Sequence, residues 1–287
     1  MSSYEISVLL PAKNEVISIG GTVDRIFNLF PDAEVIVVDD GSTDSTASVA
    51  EKYGALVIRH PYSKGNGAAI KTGLRAATKD IVVCMDADGQ HRPEDIGALL
   101  DKVNEGYDMV VGARDHEGQA GLHRSLANGF YNRFASWMVG HKIGDLTSGF
   151  RAVRRTKFLE FISLLPNKFS YPTTITMSFF RAGYSVAYIP ITVLQRAEGS
   201  KSHINLWKDG LRFLLIIFKV GTLFSPLKLF IPISFAYLLL GIGYYAYTFS
   251  VDHRLSSISV FLWSTSVTVF LIGLVSEQIT QLMYKNN

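Results

Sequence analysis

Ile81-Val82-Val83-Cys84-Met85-Asp86-Ala87-Asp88-Gly89-Gln90-His91 runs from five apolar residues straight into two carboxylates and a glycine. A short apolar run rich in β-branched residues and closed by turn formers reads as a buried strand. Asp86 and Asp88 then emerge at its carboxyl end, where the backbone turns. The same pattern occurs upstream. Ile6-Ser7-Val8-Leu9-Leu10 is a first apolar run, which Pro11 ends before a loop carrying Ala12, Lys13, Asn14 and Glu15. Val35-Ile36-Val37-Val38 leads at once into Asp39, Asp40 and Gly41, and a further strand is expected over 55–59. Residues 18–29 and 43–53 have helical spacing, as does the stretch to Ala77 after Lys64-Gly65-Asn66-Gly67. Alternating strand and helix predicts an α/β fold with a mainly parallel sheet and helices on both faces. Ligands bind such sheets at the carboxyl ends of the strands.

The chain has 287 residues, 48% of them hydrophobic, enough for one sizeable domain plus a segment that is not water-soluble. Apolar residues dominate after Leu211. Segments 229–251 and 255–276 are each long enough to span a bilayer and are separated by Asp252, His253 and Arg254. They predict a transmembrane hairpin. Residues 204–224 contain Lys208, Asp209, Arg212 and Lys219, which suits an amphipathic helix on the membrane surface. A core helix closing the globular domain is the other reading of that stretch. The expected division is a globular domain over 1–202, a juxtamembrane segment over 203–226, and membrane helices over 227–251 and 255–280.

Lys201, Lys208, Arg212, Lys219 and Lys228 stand against the single acid Asp209, which suits the anionic cytoplasmic face of a membrane. The start, Met1 to Glu5, has no secretory signal character, so the globular domain and both termini are expected in the cytoplasm. A formal net charge of +3 without a long basic run argues against nucleic acid as a partner. Cys84 is the only cysteine; it cannot form an internal disulfide and reads as a buried strand residue rather than a catalytic thiol. The seven histidines show no metal-ligand spacing.

The two strand ends carry the candidate chemistry. Asp86 and Asp88 offer hard oxygen ligands suited to Mg²⁺ or Mn²⁺, ions that commonly share their coordination sphere with substrate phosphates, and Gln90 can add a third oxygen. Loop solvation is the bland reading of the same acids. Pro93 opens a helix whose first turn holds Glu94 and Asp95, acids that serve the helix dipole. Asp39 or Asp40 can accept hydrogen bonds from a base or ribose, while Ser42, Thr43 and Asp44 are placed to cap the next helix.

Four segments in order resemble the family 2 glycosyltransferases of the GT-A type: residues 11–15, 39–46, 64–69 and 86–94. The resemblance covers about the first two hundred residues and implies a Rossmann-like GT-A domain that binds a nucleotide-sugar. It implies that Asp40 and the loop of Pro11, Ala12, Asn14 and Glu15 face the nucleotide. Asp39, Lys64, Gly65 and Ala87 join them on the donor side, and Asp86, Asp88 and Gln90 bind the metal. A narrower resemblance, to the polyprenyl-phosphate sugar transferases such as dolichyl-phosphate mannose synthase, rests on residues 111–114, Asp145-Leu146-Thr147-Ser148-Gly149-Phe150-Arg151 and the hairpin. It implies that Arg114 and Arg124 grip an acceptor phosphate, with Asn128 standing where that group has serine. Residues 196–201 resemble an element that closes over the diphosphate, which assigns Arg196 and Lys201 to the donor; Ser202-His203 offers a second register. Arg151 either orients its loop or touches substrate, and Asp145 either pairs with a cation or binds the sugar.

A phosphate acceptor is already largely anionic near neutral pH, its second pKa being about 6, and needs no general base. Residues 169–174, where many hydroxyl-glycosylating relatives carry an acidic pair, hold no carboxylate. The expected function is inverting, metal-dependent transfer of a hexose from a UDP- or GDP-linked donor to dolichyl or undecaprenyl phosphate, with Asp88, Arg114 and Arg124 central to it. Inversion follows from displacement by a single nucleophile. The alternatives are a hydroxyl acceptor on a glycolipid or glycan, and a nucleotide-sugar-binding membrane scaffold without turnover. A homo-oligomer is compatible with either.

Overall fold

The computed structural model describes residues 5–114, 122–168, 171–194, 218, 221–223 and 225–285, with backbone alone at 122–128 and 283–285. The chain divides into two units, one of residues 1–136 and 141–204, the other of residues 137–140 and 205–287.

The first unit alternates strand and helix: β1 (Ile6–Ala12), α1 (Ile19–Leu29), β2 (Glu34–Asp39), α2 (Thr46–Lys52), β3 (Leu56–Arg59), α3 (Asn66–Ala76) and β4 (Ile81–Cys84). A 3₁₀ turn at Pro93–Asp95 then leads into α4 (Ile96–Asn104), followed by β5 (Met109–Arg114) and α5 (Leu122–Val139). β6 (Arg151–Arg154), α6 (Arg155–Glu160), α7 (Tyr171–Arg181) and β7 (Val186–Ile191) complete it. Among the described residues the strands form one sheet in the order β3-β2-β1-β4-β6-β5-β7. Both faces are covered, which is why the strands read as unbroken apolar runs. Val8, Val37 and Val83 pack with Ile19, Val23 and Ile26 of α1 and Leu99 of α4 on one face. Leu9 and Val38 turn to the other face, where α3 lies so close that a Cβ on Gly73 would sit 3.2 Å from Leu9.

Three details differ from the sequence reading. β1 does not end at Pro11, which pairs with Val38 in the parallel ladder. Leu9 O accepts from Met85 N on the β4 side and Ala12 O accepts from Asp40 N on the β2 side. The missing N–H of Pro11 therefore faces β4 beyond the last paired residues, Leu9 and Cys84, and costs no ladder bond. α2 starts at Thr46 rather than Thr43 because residues 42–45 form a turn in which Asp44 Oδ1 accepts from Thr46 N at 3.0 Å. β6 runs antiparallel to both β4 and β5. Its preceding loop, 145–150, already lies along the carboxyl edge of the sheet, so the chain must enter β6 from that edge and run back.

The second unit holds α8 (Pro226–Asp252) and α9 (Ser257–Lys285), both long and apolar enough to cross a membrane. They are a hairpin of two apolar helices with outward-facing large side chains such as Leu240 and Phe261. Small residues let them approach: a Cβ on Gly241 would sit 2.5 Å from Trp263, and one on Gly273 2.6 Å from Phe230. Ser234 donates to Ser266 O at 2.9 Å and Ser266 to Ser234 O at 2.8 Å, so the polar pair satisfies itself inside the hairpin. The expected surface helix over 204–224 falls almost wholly outside the described residues.

Candidate active site

The sheet order places β1 between β2 and β4, so successive connections leave β1 in opposite directions and a crevice opens at its carboxyl end. A cavity of about 380 Å³ fills that crevice. Pro11, Ala12, Lys13 and Glu15 line it from the end of β1, Asp86, Ala87 and Asp88 from the turn after β4, and Asp40, Ser63, Gly65, Asn66 and Ala69 contribute the rest.

The acidic turn is held from several directions. Asp88 Oδ1 accepts from Gln90 N at 3.1 Å, closing a turn that passes through Gly89 at φ 74°. Ser18 donates its hydroxyl to Ala87 O at 2.8 Å. Asp86 N donates to His91 Nδ1 at 3.3 Å, and the His91 ring stacks on Phe150 at 5.1 Å. Gly149 lies against the Asp86 carboxylate, where a Cβ would come within 3.2 Å of both oxygens. Gln90 points elsewhere: its Nε2 donates to Leu194 O at 3.3 Å, and it is absent from the cavity lining. Two carboxylates facing an open cavity fit a hard divalent ion that completes its shell with phosphate oxygens. Among the described residues no cluster of three or more His, Cys, Asp or Glu could hold an ion by itself.

Asp40 and Asp39 behave differently from each other. Asp40 is buried and accepts from His60 Nδ1 at 2.7 Å and from Ser63 Oγ, Lys64 N and Gly65 N, each at 2.8 Å. Burial by itself would raise its pKa; the four donors outweigh it and hold the carboxyl down at about 2. Asp40 thus clamps the 63–65 loop to the end of β2 while lining the cavity. Asp39 accepts from Ser42 N at 2.8 Å and does not line it. Asn14, at φ 57°, donates its backbone N–H to Ser42 Oγ at 2.9 Å and its side-chain Oδ1 accepts from Thr43 N at 2.8 Å. Ser42 and Thr43 therefore tie two loops together instead of capping α2.

Gly65 and Gly67 have a steric reason. A Cβ on Gly67 would lie 2.0 Å from Pro166 O, and one on Gly65 2.6 Å from Asn167 O. Segment 166–168 is seated on the start of α3, with Ala68 N donating to Asn167 O at 2.8 Å and Lys71 Nζ to Leu165 O at 3.0 Å. This brings Lys168 to a second cavity of about 170 Å³ that shares Asp86 and Asn66 with the first and is also lined by Thr147, Gly149 and Thr173.

Arg114 reaches the edge of that second space. Its Nε donates to Asp145 Oδ2 at 2.8 Å and its Nη2 to Asp145 Oδ1 at 3.1 Å and to Thr147 Oγ1 at 2.5 Å. Burial works against both charges, but the paired fork prevails, lifting the Arg114 pKa and lowering that of Asp145. Asp145 is thus the partner of a cation. Arg151 is fully buried and donates to Ser148 O, Pro172 O and Thr176 Oγ1, so it holds the 145–149 loop against α7 and does not line either cavity. The side chains of Arg124 and Asn128, and all of Arg196 and Lys201, lie outside the described residues.

Sequence reasoning passed over His60, Ser63, Ser18, Thr147 and Lys168. His60 follows β3 directly, so the strand-end rule that found Asp40 was a usable signal; for Lys168 no local signal exists.

Residues 7–161, more than half of the chain, match the model of Glycosyl transferase family 2. The chain belongs to that family. Residues 225–282 of this family 2 glycosyltransferase match a second model, the GtrB C-terminal hairpin. It is 28% identical over 292 residues to glycosyltransferase AglJ of Haloferax volcanii, covering 96% of this chain and 94% of that one. It is 32% identical over 208 residues to polyprenol monophosphomannose synthase of Mycolicibacterium smegmatis, covering 67% and 78%. Among solved structures it resembles glucosyl-3-phosphoglycerate synthase from Mycobacterium tuberculosis in complex with Mn²⁺, UDP and phosphoglyceric acid. That likeness has a TM-score of 0.59 at 26% identity, over 74% of this chain and 78% of the other. The family 2 glycosyltransferase therefore has the α/β GT-A architecture that its sequence predicts, followed by the apolar hairpin.

Proposed function

We propose that this glycosyltransferase moves a hexose, with inversion, from a UDP- or GDP-linked donor to a polyprenyl phosphate at the cytoplasmic membrane face, with both termini on that side. The observation that carries the reading is that Asp86 forms a wall common to two adjoining cavities. One is large enough for the diphosphate end of a nucleotide-sugar and the other is open to a second substrate. The similarity to polyprenol monophosphomannose synthase supports the acceptor class, and the apolar hairpin supports a membrane-borne acceptor.

Asp86 and Asp88 would hold Mg²⁺ or Mn²⁺, an ion that supplies neutralisation of the diphosphate charge when bound. Its use is supported by the Mn²⁺ and UDP in the related synthase. Pro11, Ala12 and Glu15 line the cavity for the nucleotide from the end of β1, and Asp40 keeps Gly65 and Lys64 in place beside it. Arg196 and Lys201 are assigned to the diphosphate by family resemblance, and Arg124 and Asn128 to the acceptor. Arg114 is assigned to the acceptor by the same resemblance, with Nη1 left for a phosphate while Asp145 and Thr147 engage Nε and Nη2. The acceptor phosphate attacks the anomeric carbon with an oxygen that carries no proton, so no side chain is required as a base.

The test uses the full chain in detergent, a panel of radiolabelled UDP- and GDP-sugars, and a short-chain polyprenyl phosphate with Mg²⁺ or Mn²⁺. A mild-acid-labile lipid-phosphate-sugar is expected, and Asp88→Ala should lower its formation by about a hundredfold or more. An acid-stable glycolipid, or undiminished turnover by Asp88→Ala, would sink the reading.

A further inference from the structure

Asp86 stands opposite Gly149 by register. The antiparallel ladder of β4 and β6 pairs Ile81 with Arg154 and Cys84 with Arg151, and the same alternation carried two residues further sets Asp86 across from Gly149. A Cβ at Gly149 would lie 3.2 Å from both Asp86 oxygens, so the missing side chain leaves the room in which the carboxylate rests. Gly149 is itself held. Tyr171, the first residue of α7, is 2% exposed and donates its hydroxyl to Gly149 O at 3.1 Å. Its ring lies 5.7 Å from the Arg151 guanidinium, which also donates to Ser148 O and to Pro172 O, carbonyls of the residues beside Gly149 and Tyr171. One buried cation thus binds the chain next to each end of the Tyr171–Gly149 hydrogen bond. Asp86, Gly149 and Tyr171 all line the second cavity, and Asp86 lines the first as well.

A carboxylate that must meet an ion together with Asp88 gains affinity when its orientation is fixed before the ion arrives. Groups that orient metal ligands commonly contribute about ten- to a hundredfold in affinity. We propose that Tyr171 is a positioning residue for Asp86, acting through Gly149, and that this contact sets how tightly the acidic turn holds its divalent ion. The assignment rests on the reading above in which Asp86 and Asp88 hold Mg²⁺ or Mn²⁺. Tyr171 acts at one remove: its oxygen touches the loop, and the loop touches the ligand. Its proton is committed to Gly149 O, so the role requires no proton transfer.

The test titrates Mn²⁺ into the full-length protein in detergent and reads bound ion from the loss of the free-ion EPR signal. Tyr171→Phe keeps the ring beside Arg151 and removes only the hydroxyl, and should weaken Mn²⁺ binding about tenfold. Gly149→Ala, whose methyl group crowds both carboxylate oxygens, should weaken it at least as much. Leu99→Ala is the control for lost stability alone. It empties part of the core on the other face of the sheet and lowers Tm, and its Mn²⁺ affinity should stay within about twofold of the wild type. Wild-type Mn²⁺ affinity in Tyr171→Phe or Gly149→Ala, or an equal loss in Leu99→Ala, overturns the assignment while the metal reading stands. Mn²⁺ binding by Asp86→Ala that matches the wild type overturns the metal reading itself, and this assignment with it.

Discussion

Arg114, the last residue of β5, and Asp145, in the loop before β6, meet fork to fork, with Nε and Nη2 each donating to one carboxylate oxygen at 2.8 and 3.1 Å. Asp145 Oδ1 also accepts from Thr147 N and Ser148 N, at 3.0 and 3.1 Å. The pair therefore shapes the loop that ends in Gly149, the residue packed on Asp86. Removing one partner strands the other charge in a largely dehydrated position. Asp145→Asn should cost about 2 kcal/mol, seen as a lower Tm in detergent. Replacing both, Arg114→Met with Asp145→Leu, should recover Tm and not turnover, because the loop then lacks its polar anchor. A double variant no more stable than the single one would contradict this account.

Asp40 predicts an acid limit. Its folded pKa of about 2 lies below the ordinary carboxylate value, so its contribution is complete above about pH 4 and is lost as pH falls towards 2. The shift corresponds to roughly 2 kcal/mol at neutral pH. The wild type should lose Tm over that window faster than Asp40→Asn, which starts lower and has no carboxylate there to protonate. Parallel Tm profiles for the two would refute it.

Two glycines should respond in opposite ways to the same change. Gly67→Ala places a methyl group 2.0 Å from Pro166 O and must displace the 166–168 segment, at a cost of about 3 kcal/mol. Gly21, in α1, has nothing within 4 Å of a new Cβ. Gly21→Ala should be neutral or stabilising by up to about 1 kcal/mol from helix propensity. Thermal melts compare them directly, and a benign Gly67→Ala would remove the steric explanation of this loop.

Cys84 should be chemically silent. Burial pushes its thiol pKa up to about 12, and no part of it is exposed. Maleimide should leave the folded protein unlabelled near neutral pH and modify it fully in denaturant. Rapid labelling of the native state would show that β4 opens.

Local sequence determined a large part of this protein. Unbroken apolar runs at 6–10, 35–38 and 81–85 mark strands buried on both faces, and carboxylates directly after them fall at the sheet edge where the crevice opens. Two uninterrupted apolar stretches determine the hairpin by length alone. These features depend on burial period and turn chemistry within a few residues, so they are legible before any fold is known. Tertiary structure decided the rest. Whether Asp145 bound a sugar or a cation turned on the crossing that set it beside Arg114, 31 residues earlier. Gln90 turned to Leu194, and Asn14 to Ser42 and Thr43, because strand register had already placed those partners. Lys168 reached the second cavity through backbone packing on Gly65 and Gly67 about a hundred residues away. The pairing of groups distant in the chain depends on register, crossing direction and the room left by neighbours, and none of these is written in the residues that pair.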